Sequence, residues 1–127
     1  MRNLILLLTL ACASSFAQAI DCNKASNTME INECASIEQQ KVEARLNQVY
    51  QRVLKGMEKD YASDGNFADM KKAFVNAQRA WIKFREADCD AVYQKNIGGT
   101  IRNVMHISCM QARAKTRIAE LEDFEKN

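Results

Sequence analysis

The sequence predicts an all-α fold: an antiparallel helical bundle of about three long helices stapled by two disulfides. Three observations carry this. The 127 residues contain no proline and four glycines, which leaves long helices uninterrupted. Apolar residues recur at three- and four-residue steps, the period of one helix face. Cys89 and Cys109 stand ten residues on either side of Gly99, inside two such runs. If Gly98-Gly99 turns an antiparallel hairpin, residues equidistant from it face each other, and a disulfide there would lock the pair.

The first nineteen residues read as a leader. Met1-Arg2-Asn3 carries one positive charge, Leu4 to Cys12 is apolar, and Ala17-Gln18-Ala19 is a small-x-small cleavage signal. The expected domains are therefore a secretory signal peptide over 1–19 and a single helical domain over 20–127. The apolar run is shorter than the roughly 20 residues a membrane span requires, and no later stretch is apolar enough to be one. Cys12 raises lipoprotein anchoring as an alternative. Ala11 suits the small-residue box before a lipidated Cys, whereas Thr9 and Leu10 fit it poorly. The expected location is periplasmic or secreted.

After a polar lead-in over Asp21 to Ser26, Asn27-Thr28-Met29-Glu30 has the form of a capping box. The first helix follows, with Val42, Leu46, Val49, Val53 and Met57 as its stripe, widened by Tyr50 and Leu54 and extended by Ile31 and Ala35. It should fade near Gly56 to Lys59. Asp64-Gly65-Asn66 supplies turn chemistry. The second helix should run from about Phe67 to Asn96 on the stripe Phe67, Met70, Phe74, Ala77, Trp81 and Phe84. Gly98-Gly99 stops it, with Gly98 able to take the left-handed position after a helix. Thr100 is placed to cap a third helix reaching about Phe124. Its faces are less clean: Met105, Cys109, Ala112, Thr116 and Ala119 on one, Ile118, Leu121 and Phe124 on another.

The mature cysteines are Cys22, Cys34, Cys89 and Cys109, and four cysteines allow three pairings. Hairpin symmetry favours Cys89–Cys109, which leaves Cys22–Cys34. Metal chemistry fits poorly: the intervals of 12, 55 and 20 residues are unclustered and His106 is the single histidine. No haem-attachment motif or phosphate-binding loop is present, so no cofactor is expected. Loss of Arg2 with the leader lowers the formal net charge from +2 to +1. That leaves no basic patch for nucleic acid and no long-range attraction for a basic partner.

Catalysis is not expected. A nucleophile needs a base within hydrogen-bond reach, and His106 has no evident Ser or Cys partner once the cysteines pair. The acids Asp88/Asp90 and Glu120/Asp123 lie on helices beside basic residues and read as charged surface rather than a cleft pair. The densest constellation is Gln78 to Cys89. There Trp81, Phe84, Arg85 and Asp88 share a helix face. Trp81 and Arg85 can form a cation–π contact, Asp88 can pair with Arg85, and Trp81 and Phe84 read as core. In the first helix Leu46 and Tyr50 read as core, and Asn47 as a polar partner for a neighbouring loop.

Ala77-Gln78-Arg79-Ala80-Trp81-Ile82-x-Phe84-Arg85, followed by Cys89 and Gly98-Gly99-Thr100, resembles the LprI-type lysozyme-inhibitor N-terminal domain family. Glu30-Ile31-Asn32-Glu33-Cys34-Ala35, Leu46-Asn47-x-x-Tyr50 and the final Cys109 are similar to its other motifs. The resemblance covers about Asp21 to Leu121. Glu43 stands where the family often has Asp, and Asn27 where it often has Thr. The resemblance implies a small secreted helical domain, some members being lysozyme inhibitors. It transfers no inhibitory residue, because the matched positions look like fold determinants.

Two functional readings follow. One is an inhibitor that occludes the cleft of lysozyme, a muramidase with a carboxylate pair. It would use the hairpin tip, with Lys95, Asn96, Gly98, Gly99, Thr100 and Arg102 as candidate contacts and Lys95 and Arg102 complementing the carboxylates. The loop Asp60 to Asn66 is a second candidate. The other reading is an interaction, adaptor or immunity-type module for a different envelope partner. It calls for exposed apolar residues near the loops, with Tyr61, Phe67, Tyr93 and Ile97 as candidates.

Overall fold

Three helices, α1 (Thr28–Tyr61), α2 (Phe67–Lys95) and α3 (Arg102–Lys126), make up the fold in a computed structural model that describes residues 20–126. The expected leader and Cys12 lie outside the described residues. Helix α1 starts where its capping chemistry begins. Asn27 Oδ1 accepts from the Glu30 backbone N–H at 3.0 Å, and the Glu30 carboxylate accepts from the Ser26 N–H at 2.8 Å. These bonds to the charged form hold the Glu30 carboxyl below its ordinary range, the Ser26 bond contributing most.

Helix α1 does not fade at Gly56. It continues to Tyr61 because Met57, one turn after Val53, is buried in the core and Glu58 meets Lys71 of α2. Tertiary contact outweighs the glycine's weak propensity. At about 1.5 Å per residue α1 spans roughly 51 Å. Helix α2 ends with Asn96, whose side-chain amide donates to the Val92 carbonyl at 2.8 Å. The expected left-handed Gly98 is not found: no described glycine has a positive φ. The chain turns through successive right-handed bonds instead, Ile97 N–H to Gln94 and Gly99 N–H to Asn96. The Met105 N–H bonds to the Ile101 carbonyl, so Ile101 rather than Thr100 occupies the cap position of α3.

Pairs between the helices fix their directions. Helices α1 and α3 run parallel, with Ala35–Gln111, Glu38–Lys115, Arg45–Glu122 and Arg52–Glu125 meeting in the same order along both. Helix α2 is antiparallel to both. It meets α1 through Arg85–Glu43, Phe74–Tyr50 and Lys71–Glu58, and α3 through Cys89–Cys109, Gln78–Arg117 and Phe74–Phe124. The α1–α3 seam is the most extensive and α1–α2 the sparsest. Helix α3 thus backs a gap between the other two.

The core holds Val42, Leu46, Val49, Val53 and Met57 of α1, Phe74 of α2, and Ala114 and Leu121 of α3. The α1 stripe from Val42 to Met57 is as the sequence predicts, although Ile31, expected to extend it, is exposed; the other two are shifted. On α2 the buried line is Phe74, Gln78, Arg85 and Cys89. Trp81 is half-buried and packs against the core, Ala77 is exposed, and Phe84 is 55% exposed. Phe84 is therefore not core: it lies outside the α2–α3 seam with the Arg113 guanidinium over its ring at 5.7 Å. An apolar count cannot detect a buried line whose middle members are an amide and a guanidinium. On α3 the inward residues include Ala114, Ile118 and Leu121, while Ala112, Thr116 and Ala119 are exposed. Most residues of α3 are polar or small, so its stripe carried little signal.

The disulfides are Cys22–Cys34 and Cys89–Cys109. The first ties the lead-in to α1 and the second ties α2 to α3. Both lie at the end of the bundle that holds the start of α1 and the α2–α3 turn.

Candidate functional site

Two features stand out, the α2–α3 tip and the α1–α2 gap. At the tip, Cys89–Cys109 clamps the helices, Tyr93 meets His106 edge-on at 6.1 Å, and Asn96 caps α2. Arg102 is folded back into the turn. Its Nε donates to the Tyr93 hydroxyl at 3.2 Å and its Nη1 to the Gly99 carbonyl at 3.1 Å. The surface of this turn is apolar: Ile97 and Ile101 are 52% and 51% exposed, and Met105 is exposed beside them on α3. Lys95 is exposed and makes no ion pair among the described residues, whereas Gly98 and Thr100 are exposed without polar side-chain contacts. The structure therefore separates the two cations. Lys95 points to solvent, and Arg102 braces the turn. Ile101 and Met105, absent from the sequence-based site, complete the exposed tip; their apolar character in a cap region was the available signal. Of the other apolar candidates, Tyr61 is exposed, and Phe67 and Tyr93 are half-buried.

Motif residues from α1 and α2 converge on the second feature. Glu43, Ala44, Leu46, Asn47 and Tyr50 face Val75, Gln78, Arg79, Ile82 and Arg85 across a groove of about 610 Å³. One end is closed by Arg85 Nη1 bonding Glu43 Oε1 at 2.6 Å; the same oxygen accepts from Gln39 at 2.6 Å. The other end is closed by the Tyr50–Phe74 ring stack at 5.4 Å. Asn47 lines the groove between these bridges rather than serving a loop. Arg85 stacks on Trp81 at 4.8 Å, as expected, with Arg117 on the same ring at 5.9 Å. Asp88 does not pair with Arg85: it takes Arg113 at 2.7 Å, because Arg85 points towards α1. Glu43, Arg79 and Ile82 were not singled out for this groove, although steps of three and four bring 43, 46, 47 and 50 to one face and 75, 78, 79, 82 and 85 to another.

Asp88, Cys89 and Cys109 bring potential ligand atoms within 4.8 Å of one another. Both sulfurs are bonded to each other and Asp88 is paired with Arg113, so the trio is a structural knot rather than a cation site. Among the described residues no helix is long and apolar enough to cross a membrane.

The fold is that of a crystal structure of a DUF1311 family protein from Pseudomonas putida KT2440. It superposes with a TM-score of 0.65 at 20% identity, covering 78% of this chain and 97% of that one. A relative from Rhizobium meliloti (strain 1021), the uncharacterised protein R02472, is 30% identical over 111 residues, 82% of this chain and 78% of that protein. The model of the family "Lysozyme inhibitor LprI" matches residues 21–121, a span that contains both disulfides, the tip and the groove. The chain belongs to the lysozyme inhibitor LprI family.

Proposed function

We propose that this protein is a non-enzymatic, extracytoplasmic binding protein that inhibits lysozyme by seating its α2–α3 tip in the enzyme's cleft. The observation that carries this is the construction of the tip: Ile97 and Ile101 stand exposed on a turn held by Cys89–Cys109, Asn96 and Arg102. A braced turn loses little conformational freedom on binding, so its apolar contacts contribute nearly in full. Lys95, free at the rim, complements cleft carboxylates. Asn96, Gly98, Gly99 and Thr100 shape the surface, and Arg102 holds it from within. The two disulfides support a location in an oxidising compartment, periplasmic or secreted.

The test is lysis of a cell-wall suspension by purified c-type, g-type and i-type lysozymes, with the oxidised protein in micromolar excess. Dose-dependent inhibition of one type, weakened by Ile97→Asp and by Lys95→Ala with melting unchanged, supports the tip. No effect on any of the three rejects the inhibitor reading. The same exposed tip would then be read as the face of an adaptor or immunity-type module, whose partner a pull-down would seek.

A further inference from the structure

The α1–α2 groove lies at mid-bundle, away from the tip, and the argument for it does not rest on lysozyme inhibition. Helix α3 holds α1 and α2 but does not fill the space on their open side. At about 610 Å³ the groove falls within the roughly 300–1,000 Å³ typical of small-molecule sites. Leu46, Tyr50, Val75 and Ile82 give it apolar walls.

Its polar groups are mainly donors. Gln78 and Arg85 are only 8% and 7% exposed. Gln78 Oε1 accepts from Arg117 Nε at 3.0 Å, so the amide N–H groups are what Gln78 can offer a ligand. The buried Nε of Arg85 has no acceptor among the described residues. Buried donors are ordinarily paired, and leaving one unpaired costs about 1–3 kcal/mol. Arg79 stands beside them with no partner among the described residues, and Asn47 faces them from α1. The one acid, Glu43, lies at the closed end and is already bonded by Arg85 and Gln39.

We infer that the α1–α2 groove binds a small carboxylate ligand with an apolar body, such as a short peptide carrying a free C terminus. The carboxylate accepts from Gln78, Arg79 and Asn47, and the apolar part packs on Leu46, Val75 and Ile82. Among the described residues, the unmet Nε of Arg85 and the unpaired guanidinium of Arg79, set against the single charge of Glu43, select an anion.

The probe is N-acetyl-leucyl-alanine, titrated to millimolar concentration into the ¹⁵N-labelled oxidised protein, with its C-terminal amide as the control. Saturable shifts of the Asn47 and Gln78 side-chain amides and of the backbone at 78–82 are expected. The amide control should bind at least about tenfold more weakly, as loss of a charge-assisted bond implies. Arg79→Ala, an exposed change, and Gln78→Glu, which keeps the acceptor for Arg117, should each weaken binding by a similar factor with the melting temperature held. No saturable shift, equal binding of the amide, or shifts confined to the tip would overturn the assignment.

Discussion

Arg85 crosses from α2 to Glu43 of α1, Nη1 to Oε1 at 2.6 Å, with the arginine side chain 8% exposed and the glutamate 37%. The pair is lopsided: a buried cation held by a half-open anion. Glu43→Ala should therefore destabilise more than a surface pair would, by about 2–3 kcal/mol, because it strands Arg85 without its counter-charge. The partial exposure of Glu43 keeps the loss below that of a fully buried pair. Urea unfolding of the oxidised protein measures this; a change under about 0.5 kcal/mol would show that water replaces the carboxylate.

Arg102 and Lys95, alike in sequence, should differ in their effects. Arg102→Ala removes bonds to Tyr93 and the Gly99 carbonyl and should cost about 1 kcal/mol. Lys95→Ala should stay within about 0.5 kcal/mol. Thermal melts of the two variants side by side distinguish brace from free cation.

Replacing both Cys89 and Cys109 with Ala opens a loop with a sequence separation of 20. By loop-closure entropy this should cost about 3 kcal/mol. Hydrogen exchange should rise first at the tip end, where both disulfides lie, and last around Val49, Val53 and Leu121, which are almost fully buried.

Gly56 and Gly98 should both accept alanine. A Cβ at either meets nothing within 4 Å, and neither residue has a positive φ. Gly56→Ala inside α1 should stabilise by about 0.5–1 kcal/mol, and Gly98→Ala by about 0.4–1 kcal/mol through a less flexible unfolded chain. A destabilising Gly98→Ala would mean that the turn needs the left-handed conformation after all.

Acid should loosen the N-terminal cap of α1 and the far end of the α1–α3 seam. Glu30 is held below its usual pKa of 4.5 chiefly by the Ser26 N–H bond, and Glu125 chiefly by the Arg52 hydrogen bond. A carboxylate with a lower pKa in the folded state contributes stability above its unfolded value. That contribution fades as pH falls from about 4.5 through the folded values. NMR titration of the two carboxyl carbons should give midpoints below 4.5, and Arg52→Gln should raise that of Glu125 alone.

Much of the bundle is legible from periodicity. Val42 to Met57 is a clean stripe because α1 buries one apolar face continuously, and the symmetry about Gly99 pairs Cys89 with Cys109. Legibility fails where polar residues do the inward packing. Gln78 and Arg85 are as buried as Phe74, and Phe84, an apolar residue in a plausible register, faces outward beneath Arg113. The tip follows from the glycine pair, but the division of labour between Lys95 and Arg102 depends on side-chain direction. The groove is harder still to read: its walls come from segments more than twenty residues apart, and its definition lies in what α3 leaves uncovered.

The parallel seam between the first helix and the last also orders events in time. Helices α2 and α3 are neighbours in the chain and can zip from their turn, but α1 finds its main support only in α3. A chain emerging N-terminus first holds α1 and α2 with little to join them until residues beyond Arg102 appear. Assembly is therefore deferred until α3 has been made, and a chain cut before Arg102 should have no route to a cooperative fold, however well its helices form.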